Sequence, residues 1–416
     1  MATESGALPL RDLRVLELGH IVAGPTAGLI LADLGADVIK VERPGSGDQA
    51  RQMPGGVSAL YYFLNRNKRS IALDLKAPEG KALLLRLVET ADVVVDNFAP
   101  GALDGLGLAY ATLAERNPRL IYLSVKGFLP GPYERRPSLD ELAQMMGGLA
   151  YMTGRRGQPM RAGASIVDTG AATYGVIAVL AALRERDHSG RGQAIVAGLF
   201  ETTVFWVGQW IAWAEATGQP STPMSEIGQS QRMGWGIFHL FDTADDAQVF
   251  IGVTSNAHWE RFCQELGLAD LLADERLDSN LKRVAAREWL LPRVREAVRQ
   301  YPSAALQVKL ERASVPYAPV NRPDQLPADP HLNATEQLIP TPLAGLAAPA
   351  RLPKLPFQSS AYGFGLRRHP PGLGEHTGEL LAELGLDAAA IEALAARGVV
   401  TLGTADAVPR DWPERT

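Results

Sequence analysis

The feature that most constrains the fold is a series of short β-branched segments that alternate with helical patterns in the first third of the chain. The strand candidates are residues 13–18, 36–42, 70–75, 92–98 and 120–128. Glycines and prolines mark the turns between them, and Pro78 is well placed to begin a helix. Strands that alternate with helices predict a largely parallel sheet that is covered on both faces. We therefore expect an α/β fold with a Rossmann-like large domain.

Composition excludes several classes of protein. Hydrophobic residues make up 46% of the 416 residues, which is enough for a core and excludes a disordered chain. The formal net charge of −5 gives no basic excess for a nucleic-acid partner. Cys263 is the single cysteine, so disulfides within the chain are excluded and a cysteine-built metal site has no ligands; we expect no metal.

Targeting and membrane signals are also missing from the sequence pattern. Residues 1–15 contain Glu4 and lack the apolar stretch of a signal peptide. The apolar run at residues 171–183 is too short to span a bilayer and indicates a buried helix. We expect a soluble cytoplasmic protein that does not associate with membranes.

The domain organisation is predicted from changes in composition. Residues 1–200 form the first part of the large domain, and residues 201–236 form a connecting helix and a linker. Residues 237–325 are expected to form a smaller α+β domain that begins with a hairpin turning at Asp245 and Asp246. Residues 326–416 return to complete the large domain.

Motif searching removes three common chemistries. The patterns G-x-G-x-x-G, G-x-x-x-x-G-K-[ST] and G-x-S-x-G do not occur, so the dinucleotide, P-loop and simple α/β-hydrolase interpretations lose their main support. What remains is a series of glycine-flanked segments at the carboxyl ends of successive predicted strands. In open α/β sheets, ligands bind at this edge. The segments are GHIVAGP (19–25), ERPGSGD (42–48), DNFAPGALDGLG (96–107), SVKGF (124–128) and GASIVDTG (163–170).

These motifs occur in an order that resembles the family III CoA-transferases, which include formyl-CoA transferase and carnitine CoA-transferase. The resemblance covers almost the whole chain, because NRNKRSIALDLK (65–76), SGRGQ (189–193) and LGEHTGELLAELG (373–385) match as well. It implies acyl-CoA and a free carboxylic acid as substrates, with no tightly bound cofactor. It also implies a homodimer whose two chains interlock as rings.

The candidate nucleophile is Asp168. By itself, an Asp before an apolar helix is a good N-cap, and a helix N-terminus would keep the carboxylate ionised at neutral pH. The resemblance implies that Asp168 attacks the thioester to give a mixed anhydride and then an aspartyl-CoA thioester. Asp140 matches an acidic position near the nucleophile, and it could equally cap the helix that follows it.

The resemblance also implies where CoA binds. The candidate contacts are His20, Val22, Arg43, Lys76, Asn97, Phe98, Ala102 and Lys126. The neighbouring cations Arg66, Lys68 and Arg69 form a basic cluster that could bind phosphate groups.

Two positions depart from the family. Gly105 stands where the family has an Arg that contacts phosphate, and Val22 replaces a glutamine of formyl-CoA transferase, which argues against formyl or oxalate substrates.

The family shields its intermediates with a mobile loop that has four consecutive glycines in formyl-CoA transferase. This chain offers Gly234 and Gly236 around Trp235 as the lid, although they could equally end a linker. Arg232 and the aromatic stretch at residues 205–213 are candidates for the acid pocket. We expect a small dicarboxylate such as succinate.

Two other functions stay open at this point. The α-methylacyl-CoA racemases share the fold and the Asp168 position, but they carry a His where this chain has Leu139, and racemisation needs both an acid and a base. The other alternative is a non-catalytic CoA-binding protein in which Asp168 only caps its helix.

Overall fold

The structure is a computed structural model, and it describes residues 7–52, 58–227, 234–343 and 348–403. The described residues belong to two compact units. The first unit is drawn from Met1–Ala150, Arg161–Ala212 and Pro330–Thr416, and the second from Tyr151–Met160 and Trp213–Asp329.

The strands lie in one large and two small sheets. They are β1 (Arg14–Glu17), β2 (Asp37–Glu42), β3 (Lys68–Leu73), β4 (Val93–Asp96), β5 (Ile121–Lys126), β6 (Ala194–Gly198), β7 (Ile237–Asp242), β8 (Gln248–Val253), β9 (Tyr317–Pro319), β10 (Leu338–Thr341), β11 (Ala350–Pro353) and β12 (Val400–Thr401). The large sheet has the order β12-β3-β2-β1-β4-β5-β6, and β12 alone among these seven strands is antiparallel to its neighbour. The predicted α/β fold with a parallel-dominated sheet is therefore confirmed.

The helices cover both faces of the large sheet or belong to the second unit. They are α1 (Ala23–Asp33), α2 (Ala59–Asn65), α3 (Pro78–Val88), α4 (Ala102–Gly105), α5 (Tyr110–Arg116), α6 (Asp140–Met146), α7 (Leu149–Thr153), α8 (Ile166–Ser189), α9 (Leu199–Trp206), α10 (Gly208–Thr217), α11 (Met224–Ile227), α12 (Asn256–Leu266), α13 (Ala269–Leu272), α14 (Asn280–Ala285), α15 (Arg287–Val298), α16 (Ser303–Arg312), α17 (Pro330–Ala334), α18 (Thr377–Glu383) and α19 (Ala388–Ala396). Single 3₁₀ turns occupy Gln49–Gln52, Glu275–Leu277 and Pro323–Ala328.

The direction in which the strand order runs changes at β1. Strands β2 and β3 lie on one side of β1, and β4, β5 and β6 lie on the other. The crevice outside the carboxyl ends of β1 and β4 is thus the topological switch point, where open α/β sheets bind ligands. The segments at this crevice are the turns that follow Glu17 of β1 and Asp96 of β4.

Helix α8 is the longest described element, with 24 residues. Its buried side chains, among them Val167, Ala171, Val176 and Val179, join the core formed with β5 and β6. Among the described helices, α8 is long and apolar enough to cross a bilayer when length and composition alone are considered. A core helix of this length meets the same criterion.

The C-terminal segment completes one edge of the large sheet. The backbone N–H of His376 donates to the carbonyl of Ser70 at 3.0 Å, and the N–H of Ala72 donates to Thr377 Oγ1 at 3.0 Å. Arg69 of β3 forms an ion pair with Glu379 of α18 at 2.7 Å. Strand β3 would otherwise be the edge of the sheet, and it is covered by residues that lie about 300 positions later in the chain.

The second unit has its own core. Strands β7 and β8 form the predicted hairpin, and β9 pairs with β8. Phe241, Val249 and Ile251 pack against Phe262 and Leu290 of the surrounding helices. The predicted linker at residues 218–236 contains α11, while residues 228–233, including Arg232, lie outside the described residues.

Candidate active site

Three of the predicted CoA contacts come together at the switch point. The His20 backbone N–H donates to Asn97 Oδ1 at 2.8 Å, and Asn97 Nδ2 donates to the His20 carbonyl at 2.9 Å. The His20 ring stacks on Phe98, with 5.3 Å between the ring centroids. Burial lowers the pKa of the His20 imidazole. The turn after β1 is thereby fixed to the turn after β4, and the His20 ring is neutral at pH 7.

The turn after β1 is strained and tight. Ile21 has a φ of 62°, a conformation that a β-branched residue adopts rarely and at an energetic cost. Its backbone N–H donates to Asp48 Oδ1 at 3.0 Å. A Cβ at Gly24 would lie only 2.5 Å from the Cα of Gly19, so the two glycines permit this close approach. Val22 follows as the buried N-cap residue of α1.

Buried charges lie directly beneath this turn. Lys40 Nζ lies 2.8 Å from Glu17 Oε1 and 2.8 Å from Asp48 Oδ2, and it donates to the Gly19 carbonyl at 3.0 Å. Burial alone would lower the pKa of Lys40, but Glu17 and Asp48 raise it above its ordinary value. Burial would raise the pKa of Asp48, but Lys40 and hydrogen bonds hold it below its usual range. Both groups are therefore charged.

The predicted basic cluster is used for structure, so its suggested role in binding phosphate is wrong. Lys68 Nζ lies 2.5 Å from Glu17 Oε2, and burial lowers the pKa of Lys68 to about 8. Arg66 pairs with Asp33 at 2.6 Å, and both side chains are fully buried. Arg69 lies against the carboxylates of Asp37 and the C-terminal helix. Each of these cations already faces an acid, since a charge inside a covered parallel sheet needs a partner.

The remaining predicted CoA contacts differ in their availability. Arg43, at the end of β2, and Lys76, after β3, are exposed, and within the described ranges neither side chain has a hydrogen bond or an ion pair. Lys126 Nζ is engaged by Asp96 and donates to the Phe98 carbonyl at 2.7 Å. Ala102 begins the short helix α4 and is exposed. Arg43 and Lys76 are thus free cations, whereas Lys126 holds the turn after β4.

Asp168 lies on the first turn of α8. Ser165 occupies the N-cap position and Ile166 begins the helix, so the expectation that Asp168 is the N-cap residue is wrong. The Asp168 side chain is half-buried. Its carboxylate accepts no hydrogen bond from any residue in the described part of the chain.

Asp140 supplies the cap that Asp168 does not. It is the first residue of α6 and is only 4% exposed. Asp140 Oδ2 accepts from the N–H of Val167 at 2.8 Å and of Asp168 at 3.1 Å. Asp140 Oδ1 accepts from Gln144 Nε2, and Gln144 Oε1 accepts from the Ala162 N–H at 2.8 Å. The alternative in which Asp140 caps its own helix is therefore wrong, because its carboxylate caps α8.

This arrangement changes the charge state of Asp168. Burial raises the pKa of Asp168 to about 7, and the negative charges of Asp140 and Glu141 add to the effect. The expectation of a fully ionised carboxylate at neutral pH is wrong for a physical reason. The N–H groups that would stabilise the Asp168 anion are already bonded to another carboxylate. Asp168 is present in both charge states near pH 7.

The two groups of predicted residues remain separate. Among the described residues, no hydrogen bond or ion pair joins the Asp140–Asp168 pair to the residues around His20. Gly234 and Gly236 belong to the second unit, where Asn280 donates to the Gly234 carbonyl at 3.1 Å and accepts from the Gly236 N–H at 3.0 Å. A Cβ at Gly236 would lie 2.4 Å from Arg283 Cβ, so glycine is required there by close packing. Their role as a lid stays a prediction.

Two residues of these sites carried no role in the sequence interpretation. Asp48 closes the ERPGSGD motif, and Gln144 lies one turn after Asp140. A signal for the first was present, since Lys40 lies between Ile39 and Val41 in an otherwise apolar parallel strand and needs an acidic partner. Nothing in the local sequence marks Gln144.

Comparison with known proteins agrees with these features. The profile of CoA-transferase family III matches residues 10–377. The succinate–glutarate CoA-transferase of Agrobacterium fabrum is 35% identical over 394 residues, covering 90% of this chain and 96% of that protein. The succinyl-CoA–D-citramalate CoA-transferase of Chloroflexus aurantiacus is 33% identical over 390 residues, covering 92% and 96%.

A solved structure is also similar. The crystal structure of a CAIB/BAIF family protein from Brucella suis matches with a TM-score of 0.83 and 32% identity, covering 91% of this chain and 100% of that one. The resemblance that the motifs indicated is confirmed across most of the chain. This chain therefore belongs to CoA-transferase family III, and it is a CoA-transferase.

Proposed function

We propose that this enzyme moves CoA from an acyl-CoA to a free carboxylic acid with Asp168 as the nucleophile. The observation that carries the proposal is the half-buried Asp168 carboxylate, which accepts no hydrogen bond from the described residues while Asp140 occupies the helix N–H groups. Such a carboxylate can attack a carbonyl carbon without first giving up a partner.

The reaction divides into two halves that mirror each other. An Asp168 oxygen attacks the thioester carbon, the C–S bond breaks, and CoA leaves as a thiolate, which gives a mixed anhydride. The thiolate attacks the Asp168 carbonyl carbon, the donor acid leaves as a carboxylate, and an aspartyl-CoA thioester remains. The acceptor carboxylate attacks this thioester and releases the thiolate, which attacks the acceptor's acyl carbon. The new acyl-CoA leaves, and Asp168 is again a carboxylate, with no net proton transferred.

The environment of Asp168 supports this role. Only the ionised form can attack, and with its pKa raised to about 7, about half of Asp168 is still in that form at neutral pH. The same burial and the same facing charge of Asp140 leave the anion less stabilised than an exposed carboxylate. A less stabilised anion is a stronger nucleophile, so burial contributes to reactivity.

The CoA moiety is proposed to bind along the carboxyl edge of the large sheet. Arg43 and Lys76 are exposed cations without partners among the described residues, and phosphate groups are the anions that such cations bind. His20, Val22, Asn97 and Phe98 lie at the switch point between β1 and β4, and Ala102 lies nearby on α4. Lys126 acts through the Phe98 carbonyl rather than by binding phosphate directly.

We propose succinyl-CoA as the donor and a small dicarboxylic acid as the acceptor. The names of similar proteins specify succinate with glutarate in one case and succinyl-CoA with D-citramalate in another. Val22 replaces a glutamine of formyl-CoA transferase, so a formyl or oxalate substrate is disfavoured. A panel of dicarboxylic acids offered with succinyl-CoA, followed by chromatography of the CoA esters, identifies the acceptor.

The racemase alternative is disfavoured by Leu139. This residue stands where the racemases carry a His, and its side chain is apolar and 65% exposed. Leucine can neither accept nor donate the proton that racemisation moves. Wash-in of deuterium at the α-carbon of a 2-methylacyl-CoA, without an acceptor acid, would favour the racemase over our proposal.

Trapping the covalent intermediate tests the nucleophile. After incubation with succinyl-CoA, intact-protein mass spectrometry should detect a CoA-sized adduct on the wild-type chain and none on Asp168→Ala. Asp187→Ala is the matched control, because Asp187 is an exposed aspartate on the same helix and its loss should leave the adduct intact. An adduct that persists in Asp168→Ala, or a wild-type chain that transfers CoA without one, contradicts the assignment.

We further propose that the enzyme is a homodimer. Helices α8, α9 and α10 expose large apolar side chains, including Ile177 at 56%, Phe205 at 70% and Ile211 at 45% exposure. An exposed apolar surface of this kind is typical of a protein–protein interface. Light scattering coupled to size-exclusion chromatography measures the mass, and a monomer at micromolar concentration contradicts the proposal.

A further inference from the structure

Four buried or partly buried side chains bond the backbone of the turn that follows β1 and of the first turn of helix α1. Lys40 Nζ donates to the Gly19 carbonyl, and the Ile21 N–H donates to Asp48. Asn97 bonds both the backbone N–H and the backbone carbonyl of His20. Lys68 Nζ donates to the Pro25 carbonyl. Most turns satisfy their own backbone groups or leave them to water. This turn instead takes its shape from the strands beneath it.

Three of these side chains belong to one chain of buried charges, completed by Glu17. Lys68 faces Glu17, Glu17 faces Lys40, and Lys40 faces Asp48, with separations of 2.5, 2.8 and 2.8 Å. The four side chains are at most 1% exposed, and their two positive and two negative charges balance. Displacing one member leaves the buried group with a net charge, which is strongly unfavourable. The positions of these groups are therefore set before a ligand arrives.

Asp48 is the member that acts on the strained residue. Its Oδ1 accepts from the N–H of Ile21 at 3.0 Å and of Ala50 at 2.9 Å, and its Oδ2 faces Lys40. A left-handed conformation at a β-branched residue persists only where the surroundings hold it. Without the Asp48 carboxylate, Ile21 would relax toward negative φ, and the adjacent His20 and Val22 would move with it.

We propose that Asp48 is a positioning residue that preorganises the His20–Val22 turn for CoA. This inference rests on the proposed function, in which His20 and Val22 contact CoA. Preorganisation matters because the free energy needed to order a loop is otherwise subtracted from the binding free energy. Asp48 itself is buried beneath the turn and acts through it.

The first test measures CoA binding by Asp48→Ala. Isothermal titration calorimetry with free CoA should give a Kd raised by about tenfold, the equivalent of one lost buried hydrogen bond. The KM for succinyl-CoA should rise similarly while kcat changes little, because the interaction is uniform between the ground and transition states. Asp33→Ala is the matched control, since Asp33 is equally buried and ion-paired to Arg66 but lies at the far end of α1. It should lower thermal stability and leave the Kd for CoA unchanged.

The second test uses relief of strain. Glycine adopts positive φ freely, so Ile21→Gly makes the turn less dependent on Asp48. Adding Asp48→Ala in the Ile21→Gly background should therefore weaken CoA binding by less than it does in the wild-type background. If Asp48→Ala does not fold, Asp48→Leu provides the same comparison, because leucine has nearly the shape of aspartate and also lacks the oxygen that accepts from the Ile21 N–H.

Several results would overturn the inference. The first is an unchanged Kd for CoA in the Asp48 variants, and the second is an equal loss of affinity in Asp33→Ala. The third is an effect of Asp48→Ala that is the same in the wild-type and Ile21→Gly backgrounds. The fourth is a wild-type chain that does not bind CoA. The adduct assay on Asp168 is independent of these measurements. Loss of the Asp168 assignment alone would leave the effect of Asp48 on CoA affinity in place.

Discussion

The Asp168 carboxylate is half-buried and lies in the field of the negative charge of Asp140, and these surroundings affect both reactivity and stability. Burial and the facing charge raise the pKa of Asp168 to about 7. The helix N-terminus does not offset this, because Asp140 occupies the N–H groups of Val167 and Asp168. A residue that is reactive for this reason is also one that the fold stabilises poorly when it is charged.

The pH dependence of transfer should report the Asp168 titration. We expect kcat/KM for succinyl-CoA to fall as the pH drops below about 7, because protonated Asp168 cannot attack. Asp140→Asn removes the nearest negative charge, which lowers the pKa of Asp168 and moves this acidic limb to lower pH. Glu141→Gln should move it in the same direction by less, since Glu141 is exposed. A limb that stays at the same pH in Asp140→Asn would contradict the coupling.

Stability should change with pH through the same group. The pKa of Asp168 is about 7 in the folded chain and about 4 in an unfolded one, so the folded state binds more protons between these values. Folding stability contributed by protonated Asp168 is therefore lost as the pH rises from about 4 to 7. Asp168→Asn removes this loss and should raise the Tm relative to wild type more at pH 8 than at pH 5. Thermal unfolding of both chains at the two pH values measures the difference, and an equal effect at both contradicts it.

Local sequence identified Asp168 but not its surroundings. The motif GASIVDTG marks an acid at the start of a helix, and the structure has one there. The helix begins at Ile166, however, so Asp168 lies within its first turn and not at the N-cap. The acid that caps the helix comes from Asp140, 28 residues earlier, and the acceptor for Ile21 comes from Asp48, 27 residues later. Neither pairing leaves a periodic pattern in the sequence, so both could be recognised only from the folded structure.

At the scale of elements, alternation of apolar strands and helices was enough to predict five of the seven strands of the large sheet, with bounds within two residues. The start of β3 was predicted at Ser70 and lies at Lys68. Two cations there suggested a surface segment, because lone Lys and Arg residues are usually solvated. Asp37 on the adjacent strand β2 pairs with Arg69, and Glu17 on β1, the strand beyond β2, pairs with Lys68; only the strand order reveals these partners.

The short helix α4 offers a place to strengthen CoA binding. Gly105 is exposed, and a Cβ there would meet no atom within 4 Å. Gly105→Arg should therefore be accommodated and should restore the phosphate contact that the family has at this position, lowering the Kd for CoA by about threefold. The gain should shrink at high salt, since an exposed ion pair is screened.

Gly105→Glu is the charge-reversed control for that experiment, and calorimetry with free CoA at two ionic strengths compares the variants. The Gly105→Glu variant should bind CoA more weakly than the wild type, and this difference should also shrink at high salt. Equal affinities for the Arg and Glu variants would place α4 away from the phosphates of CoA.

At the scale of the whole molecule, sequence order does not follow spatial order. The first unit is drawn from three separated stretches of the chain, and β12, with two residues, completes its sheet beside β3. A strand of two residues has no recognisable pattern. Its place follows instead from its pairing with β3, in which Val400 lies opposite Leu73, and from the Asp74 N–H, which donates to the Val399 carbonyl at 2.8 Å.

The proposed dimer gives a prediction at this scale. Phe205→Glu places a charge among the exposed apolar side chains of α8–α10 and should shift the dimer toward monomer, because burying an unpaired charge is unfavourable. Leu281→Glu is the matched control, since Leu281 is 77% exposed and belongs to the second unit. Analytical ultracentrifugation over a dilution series measures both. Equal behaviour of the two variants counts against an interface that includes Phe205.

The balanced charges of Glu17, Lys40, Asp48 and Lys68 also bear on how such an enzyme can diversify. A single substitution that removes one of these charges leaves the buried group with a net charge, so a change that keeps the balance must alter two positions at once. Simultaneous changes are rare in natural lineages, and we expect these four residues to be inherited together while the acid substrate changes. Directed-evolution libraries that aim at new acids should hold them constant and vary residues outside this network.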